Sequence, residues 1–150
     1  MNRRIIERVK AEIKILEKEL HGNASVKLGI VEVRGKEYLG VIVPGLRVNP
    51  ERFGGIKAVS VLVLLPPEYP YVPPIGIYLD RPYDLDNEHF SHLAGHGAPT
   101  LVESGWYWFC YAFGGFNGAA ARKAWRPKPR PEDGHNLATV IAAARVVLNS

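Results

Sequence analysis

Cysteine is scarce in this chain: a single one, Cys110, occurs among the 150 residues. One cysteine excludes an internal disulfide framework and any metal site built from cysteines alone. The thiol of Cys110 is therefore either an inert group packed among its neighbours or a reactive group. Which of the two it is decides what the protein does.

Long hydrophobic runs are also missing. The longest one, residues 59–65, is interrupted by Ser60 and is far shorter than the roughly 20 residues that a membrane-spanning helix needs. The N-terminal residues lack the short apolar core and the small-residue cleavage site of a signal peptide. We therefore expect a protein without a membrane span, located in the cytoplasm.

Acidic residues are fewer than basic ones, with 15 Asp and Glu against 19 Lys and Arg, which gives a net charge of +4. Such a balance raises the possibility of an acidic partner, including nucleic acid. The basic residues are scattered, however, with weak clusters in the first 20 residues and in residues 122–130, and no aromatic and basic motif of a nucleic-acid module is present. The charge predicts a solvated surface and no nucleic-acid partner.

The length of the chain indicates a single domain, residues 1–150. An amphipathic helix is predicted at its start, over residues 2–21. Its apolar residues recur at spacings of three and four and form one stripe: Ile5, Ile6, Val9, Ile13, Leu16 and Leu20. Gly22 and Asn23 end the helix as a left-handed cap would. The face opposite the stripe is basic and is either simply solvated or a docking surface for a partner protein: Arg3, Arg4, Lys10, Lys14 and Lys18.

Four strands are predicted after this helix, over residues 26–33, 38–43, 57–65 and 75–79, because these stretches are rich in β-branched residues or alternate apolar with polar ones. Residues 34–37 have the composition of a hairpin, and residues 44–56 are predicted to be a longer loop. A helix followed by a four-stranded antiparallel meander indicates an α+β fold in which the helix covers one face of the sheet.

Proline is concentrated between the third and fourth predicted strands, where five of residues 66–74 are proline. Proline cannot donate to a sheet ladder and pushes the preceding residue toward an extended conformation. Residues 66–74, which we call the flap, are therefore predicted to form a stiff, extended surface loop. We expect Tyr69 to fold back against the sheet and fix the shape of the flap.

Periodicity fades between residues 81 and 124, where glycines recur and aromatic residues surround Cys110. An irregular run of this length is unusual in a compact domain unless it has a function. Order returns after Trp125-Arg126-Pro127, where a second helix is predicted from an acidic or Asn start, with an apolar stripe of Leu137, Val140, Ile141, Ala144, Val147 and Leu148.

Several of these segments resemble the ubiquitin-conjugating enzymes. Pro66-Pro67-Glu68-Tyr69-Pro70-Tyr71-Val72-Pro73-Pro74 is similar to the Pro-Tyr-Pro-x-x-Pro-Pro flap of that family, and the Trp-x-Pro ahead of the last helix is similar to the segment that follows its active cysteine. Helix, meander, flap, cysteine-bearing segment, Trp-x-Pro and helix follow one another in the order of the family. The match is closest to the prokaryotic branch of ubiquitin-conjugating-like proteins.

This resemblance implies an α+β domain of the ubiquitin-conjugating (UBC-like) fold and a conjugating enzyme that needs no cofactor. Cys110 would accept a ubiquitin-like modifier as a thioester from an activating enzyme and pass it to an acceptor protein. The family's first helix is used for docking, which makes Arg3, Arg4, Lys10 and Lys14 candidate partner-binding residues. The alternative is a non-catalytic binding module of the same fold that grips a modifier or partner protein through the flap and the sheet.

Eukaryotic members of the family carry His-Pro-Asn before the cysteine, and this tripeptide is absent here. His96 is the nearest counterpart of its histidine, and Asn117, after the cysteine, offers an amide donor for the oxyanion. Thioester exchange needs a thiolate, positioning and oxyanion stabilisation more than it needs a strong base. His89, His92 and His96 have a spacing that could place them on one helical face, but Gly95 and the lack of a fourth ligand predict no metal site.

Overall fold

The computed structural model describes residues 3–22, 25–74, 76–82, 99–109 and 124–149. In this part of the chain two helices accompany a five-stranded antiparallel sheet, so the predicted α+β class is confirmed. The predicted number of strands is wrong, because a fifth strand follows the four expected ones. The elements are α1 (Arg3–Glu19), β1 (Lys27–Val33), β2 (Lys36–Arg47), β3 (Ala58–Leu65), β4 (Gly76–Leu79), β5 (Tyr107–Phe109) and α2 (Leu137–Leu148).

Helix α1 agrees with the stripe read from the sequence. Val9, Ile13 and Leu16 are buried on it, but the helix ends at Glu19, two residues earlier than predicted, and Asn23 lies outside the described residues. Gly22 adopts a left-handed φ of 71° and its N–H donates to the carbonyl of Glu17 at 3.0 Å, which satisfies one of the last free carbonyl groups of the helix.

The sheet is a simple meander in which each strand pairs with the next, in the order β1-β2-β3-β4-β5. Arg34 and Gly35 connect β1 to β2 with φ values of 51° and 79°, and Val33 pairs directly with Lys36. Two left-handed residues between paired strands form the tight hairpin whose twist matches that of the strands. The predicted hairpin is therefore present, with a shorter turn than its composition indicated.

Residues 44–47 belong to β2, so the prediction of a loop over residues 44–56 is wrong at its start. The pairing register between β2 and β3 shifts between Val43 and Leu46, and Gly45 takes a φ of 69°. A β-bulge of this kind absorbs Pro44 and Gly45 and lets the strand resume. The loop to β3 begins only after Arg47.

Part of the predicted irregular run over residues 81–124 is ordered, which corrects that prediction. Residues Val102–Ser104 form a short 3₁₀ helix, and β5 pairs with β4 through Ile77 and Phe109, Tyr78 and Trp108, and Leu79 and Tyr107. Because β5 has only three residues and no alternation in its sequence, its pairing with β4 defines it as a strand.

The two faces of the sheet are covered differently. The inner face packs against α1 and α2 and forms the main core, which includes Val41, Val43, Val61, Val63, Leu65 and Ile77. The outer face carries a smaller cluster, in which Leu101 and Trp108 pack with Leu62, Leu64 and Tyr78. Neither described helix combines the length and the apolar composition that crossing a bilayer demands.

Candidate functional site

The flap is folded rather than extended, which corrects the prediction for residues 66–74. The N–H of Tyr69 donates to the carbonyl of Pro66 at 3.1 Å, and the N–H of Tyr71 donates to Glu68 at 2.9 Å, so the segment is a series of turns. The peptide bond between Tyr69 and Pro70 is cis. Pro66 and Pro73 are buried, whereas the Tyr71 side chain is 84% exposed.

Tyr69 is buried and anchors the flap, as predicted, but its hydrogen bond is to helix α1 and not to the sheet. Its side chain is only 1% exposed, and its hydroxyl donates a hydrogen bond to Oε1 of Glu12 on α1. Burial, together with the negative charge of Glu12, raises the pKa of Tyr69 well above its ordinary value. The hydroxyl therefore keeps its proton and remains a donor throughout the neutral range.

Glu12 is fully buried and accepts hydrogen bonds from three different segments. Besides the hydroxyl of Tyr69, Oε1 accepts the N–H of Leu137 at 2.8 Å, and Oε2 accepts Nε–H of Arg8 at 2.7 Å. Arg8 in turn donates to the carbonyls of Lys128 and Pro129 at 2.6 and 3.0 Å. One carboxylate thus joins α1, the flap and the N-terminus of α2, and through Arg8 it reaches the loop before α2.

Trp125 makes a second contact with the flap, at Pro70. Its indole Nε1–H donates to the carbonyl of Pro70 at 2.6 Å, and its ring lies 6.2 Å from the ring of Tyr69 and 5.7 Å from that of His135. The Trp-Arg-Pro loop, residues 125–136, therefore contacts the flap directly at its first residue.

Two hydrogen bonds between Arg126 and His135 close the Trp-Arg-Pro loop. The N–H of Arg126 donates to Nδ1 of His135 at 2.8 Å, and the N–H of His135 donates to the carbonyl of Arg126 at 2.9 Å. Burial, with a smaller effect of the Arg126 charge, lowers the pKa of His135, so the neutral imidazole that can accept at Nδ1 is favoured. Gly134 leaves no room for a side chain here, because a Cβ would lie 2.7 Å from the carbonyl oxygen of Arg126.

The described residues on either side of residues 110–123 are attached to β4 and to the flap. Phe109, the last residue of β5, pairs with Ile77 in β4, which starts two residues after the flap ends. The next described residues are Ala124, which is helical, and Trp125, which is bonded to the flap. One described flank of residues 110–123 is thus paired with β4, just after the flap in the chain, and the other flank is hydrogen-bonded to the flap itself.

The predicted catalytic residues Cys110, His96 and Asn117 lie outside the described residues, as do His89 and His92. In the described part of the chain, no group of histidine, cysteine, aspartate and glutamate side chains could hold a metal ion. The predicted partner-binding residues are described, and all four are exposed on α1: Arg3, Arg4, Lys10 and Lys14. Lys10 lies 3.8 Å from Glu7, an exposed pair that leaves the face predominantly basic.

The sequence interpretation missed Glu12, Arg8 and His135. A signal for the first two was present, since Glu12 lies three residues after Val9 and four before Leu16 on the apolar stripe, and Arg8 lies four residues before Glu12. A charged residue on a buried stripe predicts a buried partner. The sequence offered no comparable sign of the pairing between His135 and Arg126.

The chain has no significant match among protein-family models, curated proteins or solved structures.

Proposed function

We propose that this protein is a conjugating enzyme for a ubiquitin-like modifier, with the UBC-like fold and of the prokaryotic type. Cys110 accepts the modifier as a thioester from an activating enzyme and transfers it to an acceptor protein. The observation that carries the proposal is how the two described ends of the cysteine-bearing segment are attached: Trp125 is hydrogen-bonded to Pro70 in the flap, and Phe109 pairs with Ile77 in β4, the strand that follows the flap.

The chemistry of this proposal is a pair of acyl transfers. The thiolate of Cys110 attacks the thioester carbon at the C-terminus of the modifier, and the thiolate of the activating enzyme leaves. A nucleophile of the acceptor then attacks the new thioester and expels the thiolate of Cys110. Neither step needs a strong base, so a rigid frame around the cysteine contributes more than proton abstraction does. Asn117 is the proposed amide donor for the oxyanion, and His96 is the proposed counterpart of the family's histidine.

The tight anchoring of the flap supports this function. Two hydrogen bonds, from Tyr69 to Glu12 and from Trp125 to Pro70, fix the flap to α1 and to the Trp-Arg-Pro loop, although a flap that served only as a connection between two strands would need neither bond. The sequence resemblance of the flap and of the Trp-Arg-Pro segment to the conjugating enzymes points to the same conclusion.

The alternative function, a binding module that grips its partner through the flap and the sheet, is less well supported. On the outer sheet face, Leu62, Leu64 and Tyr78 are fully buried, and Leu101 packs over them. The inner face is covered by the helices. The central strands therefore present little apolar surface to a partner, and we favour the enzyme.

Because the chain has a single cysteine, the test of this function is direct. Incubation with the cognate activating enzyme, the modifier and ATP should give an adduct that a thiol reductant removes. Cys110→Ser should abolish the adduct or convert it into one that resists thiols. The matched control is Cys110→Ser/Ser104→Cys, which moves the single thiol to an exposed position in the 3₁₀ helix and should give no adduct. An adduct that Cys110→Ser leaves unchanged, or no adduct at all, would contradict the proposal.

A further inference from the structure

Glu12 is a charged group in a place where charge is unfavourable. Its side chain has no exposure and lies beside Val9, Ile13 and Leu16 on the buried face of α1. Replacement of a buried ionic group by apolar residues of similar size is often neutral or even stabilising. Packing alone therefore gives no reason for a carboxylate at this position.

The donors around Glu12 show what the carboxylate does that an apolar side chain could not. They come from positions far apart in the sequence: Tyr69 is 57 residues away and Leu137 is 125 residues away. Arg8, on the same helix, carries the connection to the carbonyls of Lys128 and Pro129. A hydrogen-bonded carboxylate prescribes the directions of its donors, whereas apolar contacts do not.

We infer that Glu12 is a positioning residue of the proposed conjugating site: through Tyr69 it sets the flap, and through Arg8 it sets the Trp-Arg-Pro loop, in one fixed relation to α1. The inference rests on the function proposed above. Glu12 accepts hydrogen bonds from Arg8, Tyr69 and Leu137, so the role that we assign to it is positioning and not catalysis. Glu12 acts on the flap and on the Trp-Arg-Pro loop, whose first residue, Trp125, follows the cysteine-bearing segment. A change in its bonds should therefore alter the rate of acyl transfer more than the binding of the activating enzyme.

The Tyr69 hydroxyl can be removed without removing the packing of its ring, because the ring is packed independently against Trp125. Tyr69→Phe is therefore the informative variant, and it is less disruptive than a change at Glu12. Tyr71→Phe is the matched control, since it removes a hydroxyl from the same flap at a side chain that is 84% exposed.

Two readouts should be measured on the full chain. The first is hydrogen exchange of the flap amides at residues 69, 71 and 72, which are bonded within the flap. The second is the single-turnover rate of thioester formation on Cys110 at increasing concentrations of the activating enzyme. For Tyr69→Phe we expect faster exchange and a rate reduced about tenfold at saturation, the effect of losing one hydrogen bond to a charged group. The half-saturating concentration should not change, and Tyr71→Phe should match the wild type.

A double-mutant cycle tests whether Tyr69 acts through Glu12. In Glu12→Gln, a side-chain NH₂ group replaces one carboxylate oxygen and is itself a donor, so it cannot accept from Arg8. The arrangement in which both oxygens of residue 12 accept hydrogen bonds is then lost. Tyr69→Phe should then reduce the rate by less than about twofold in the Glu12→Gln background, because coupled residues have non-additive effects.

The outcomes separate this inference from the proposed function. Faster flap exchange with a transfer rate equal to that of the wild type would overturn the positioning role and leave the conjugating function standing, and so would additive effects in the cycle. Failure of the wild-type chain to form a thioester would overturn both. A slower rate at an unchanged half-saturating concentration, together with coupling in the cycle, supports the inference.

Discussion

Buried polar side chains in this protein form hydrogen bonds between segments that are distant in the sequence. Removing a carboxylate from water has a net cost of several kcal/mol, roughly, after relaxation. The three donors to Glu12 offset that cost, and Leu137 adds the favourable field of a helix N-terminus. The buried carboxylate belongs to α1, whereas two of its donors belong to the flap and to α2. The network is therefore stable only when α1, α2 and the flap are all in place.

His135 makes the stability of the Trp-Arg-Pro loop depend on pH. Its pKa is lowered from 6.5 in the folded chain, so the unfolded chain binds the proton more readily. The free energy of unfolding should therefore be retained above about pH 6.5 and decrease as the pH falls below that value. Protonation would place a hydrogen on Nδ1, where the N–H of Arg126 now donates.

We predict that His135→Asn makes the loss of stability between pH 6.5 and pH 5 less steep, because Oδ1 of asparagine can accept from Arg126 but does not titrate. Urea unfolding at a series of pH values measures this effect. His21→Asn, which replaces an exposed histidine at the end of α1, controls for the loss of a histidine elsewhere. Parallel curves for the wild type and His135→Asn would contradict the prediction.

At the residue scale, the sequence predicted the burial of Tyr69 but not its partner. Proline spacing indicated a constrained loop with an aromatic residue turned inward, which is local information. The partner, Glu12, lies 57 residues earlier, and only the packing of α1 against the flap brings the two together. The catalytic prediction for Cys110, His96 and Asn117 stays a prediction.

The free backbone N–H groups at the N-terminus of helix α2 all have hydrogen-bond acceptors. Oδ1 of Asn136 accepts the N–H groups of Ala138 and Thr139 at 2.8 and 3.3 Å, and the Thr139 hydroxyl accepts the N–H of Asn136 in return. Glu12 accepts the N–H of Leu137. The four free N–H groups at the start of the helix, those of residues 136–139, are thus all bonded to side chains.

Asn136→Ala should reduce the free energy of unfolding by about 1–2 kcal/mol, the upper part of the range for an N-cap residue, because Asn136 is nearly buried and its partners would lose their acceptor. Asn136→Asp is the matched variant: it keeps the acceptor and loses the Nδ2 donor to Pro131, so it should be less destabilising. Equilibrium denaturation of both variants measures the difference. A loss in Asn136→Ala no larger than in Asn136→Asp would show that the cap is not the main contribution.

Helices were predicted more accurately than strands for a physical reason. The stripes of α1 and α2 are periodic and their ends carry a left-handed glycine and an asparagine cap, all of which are local signals. Strand β5 has three aromatic residues and no alternation, and β2 passes through Pro44 and Gly45, which usually end a strand. In both cases a partner strand decides the structure, and single-sequence patterns do not include the partner.

At the scale of the whole molecule, two apolar clusters lie on opposite faces of the sheet, and Glu12 is a buried charge beside the larger one. The helices occupy the inner face of the sheet, and residues 99–106 contribute Leu101 and Trp106 to the cluster on its outer face. The basic side of α1 is turned away from both clusters. It therefore offers a surface on which a partner can act without disturbing the core, in agreement with its proposed use for docking the activating enzyme.

Reversal of charge on this surface should weaken docking without impairing the fold. We predict that Lys10→Glu/Lys14→Glu raises the half-saturating concentration of the activating enzyme about tenfold, since each exposed charge contact contributes about 0.2–1 kcal/mol and reversal adds repulsion. The maximal rate of thioester formation should stay near that of the wild type.

The difference in half-saturating concentration between the variant and the wild type should shrink as ionic strength rises, because the Debye length falls from about 10 Å at 0.1 M to about 3 Å at 1 M. Arg34→Glu/Lys36→Glu, an equal change of charge at the exposed β1–β2 turn, is the control. An identical effect of the two double variants would assign the change to net charge and reject α1 as the docking surface.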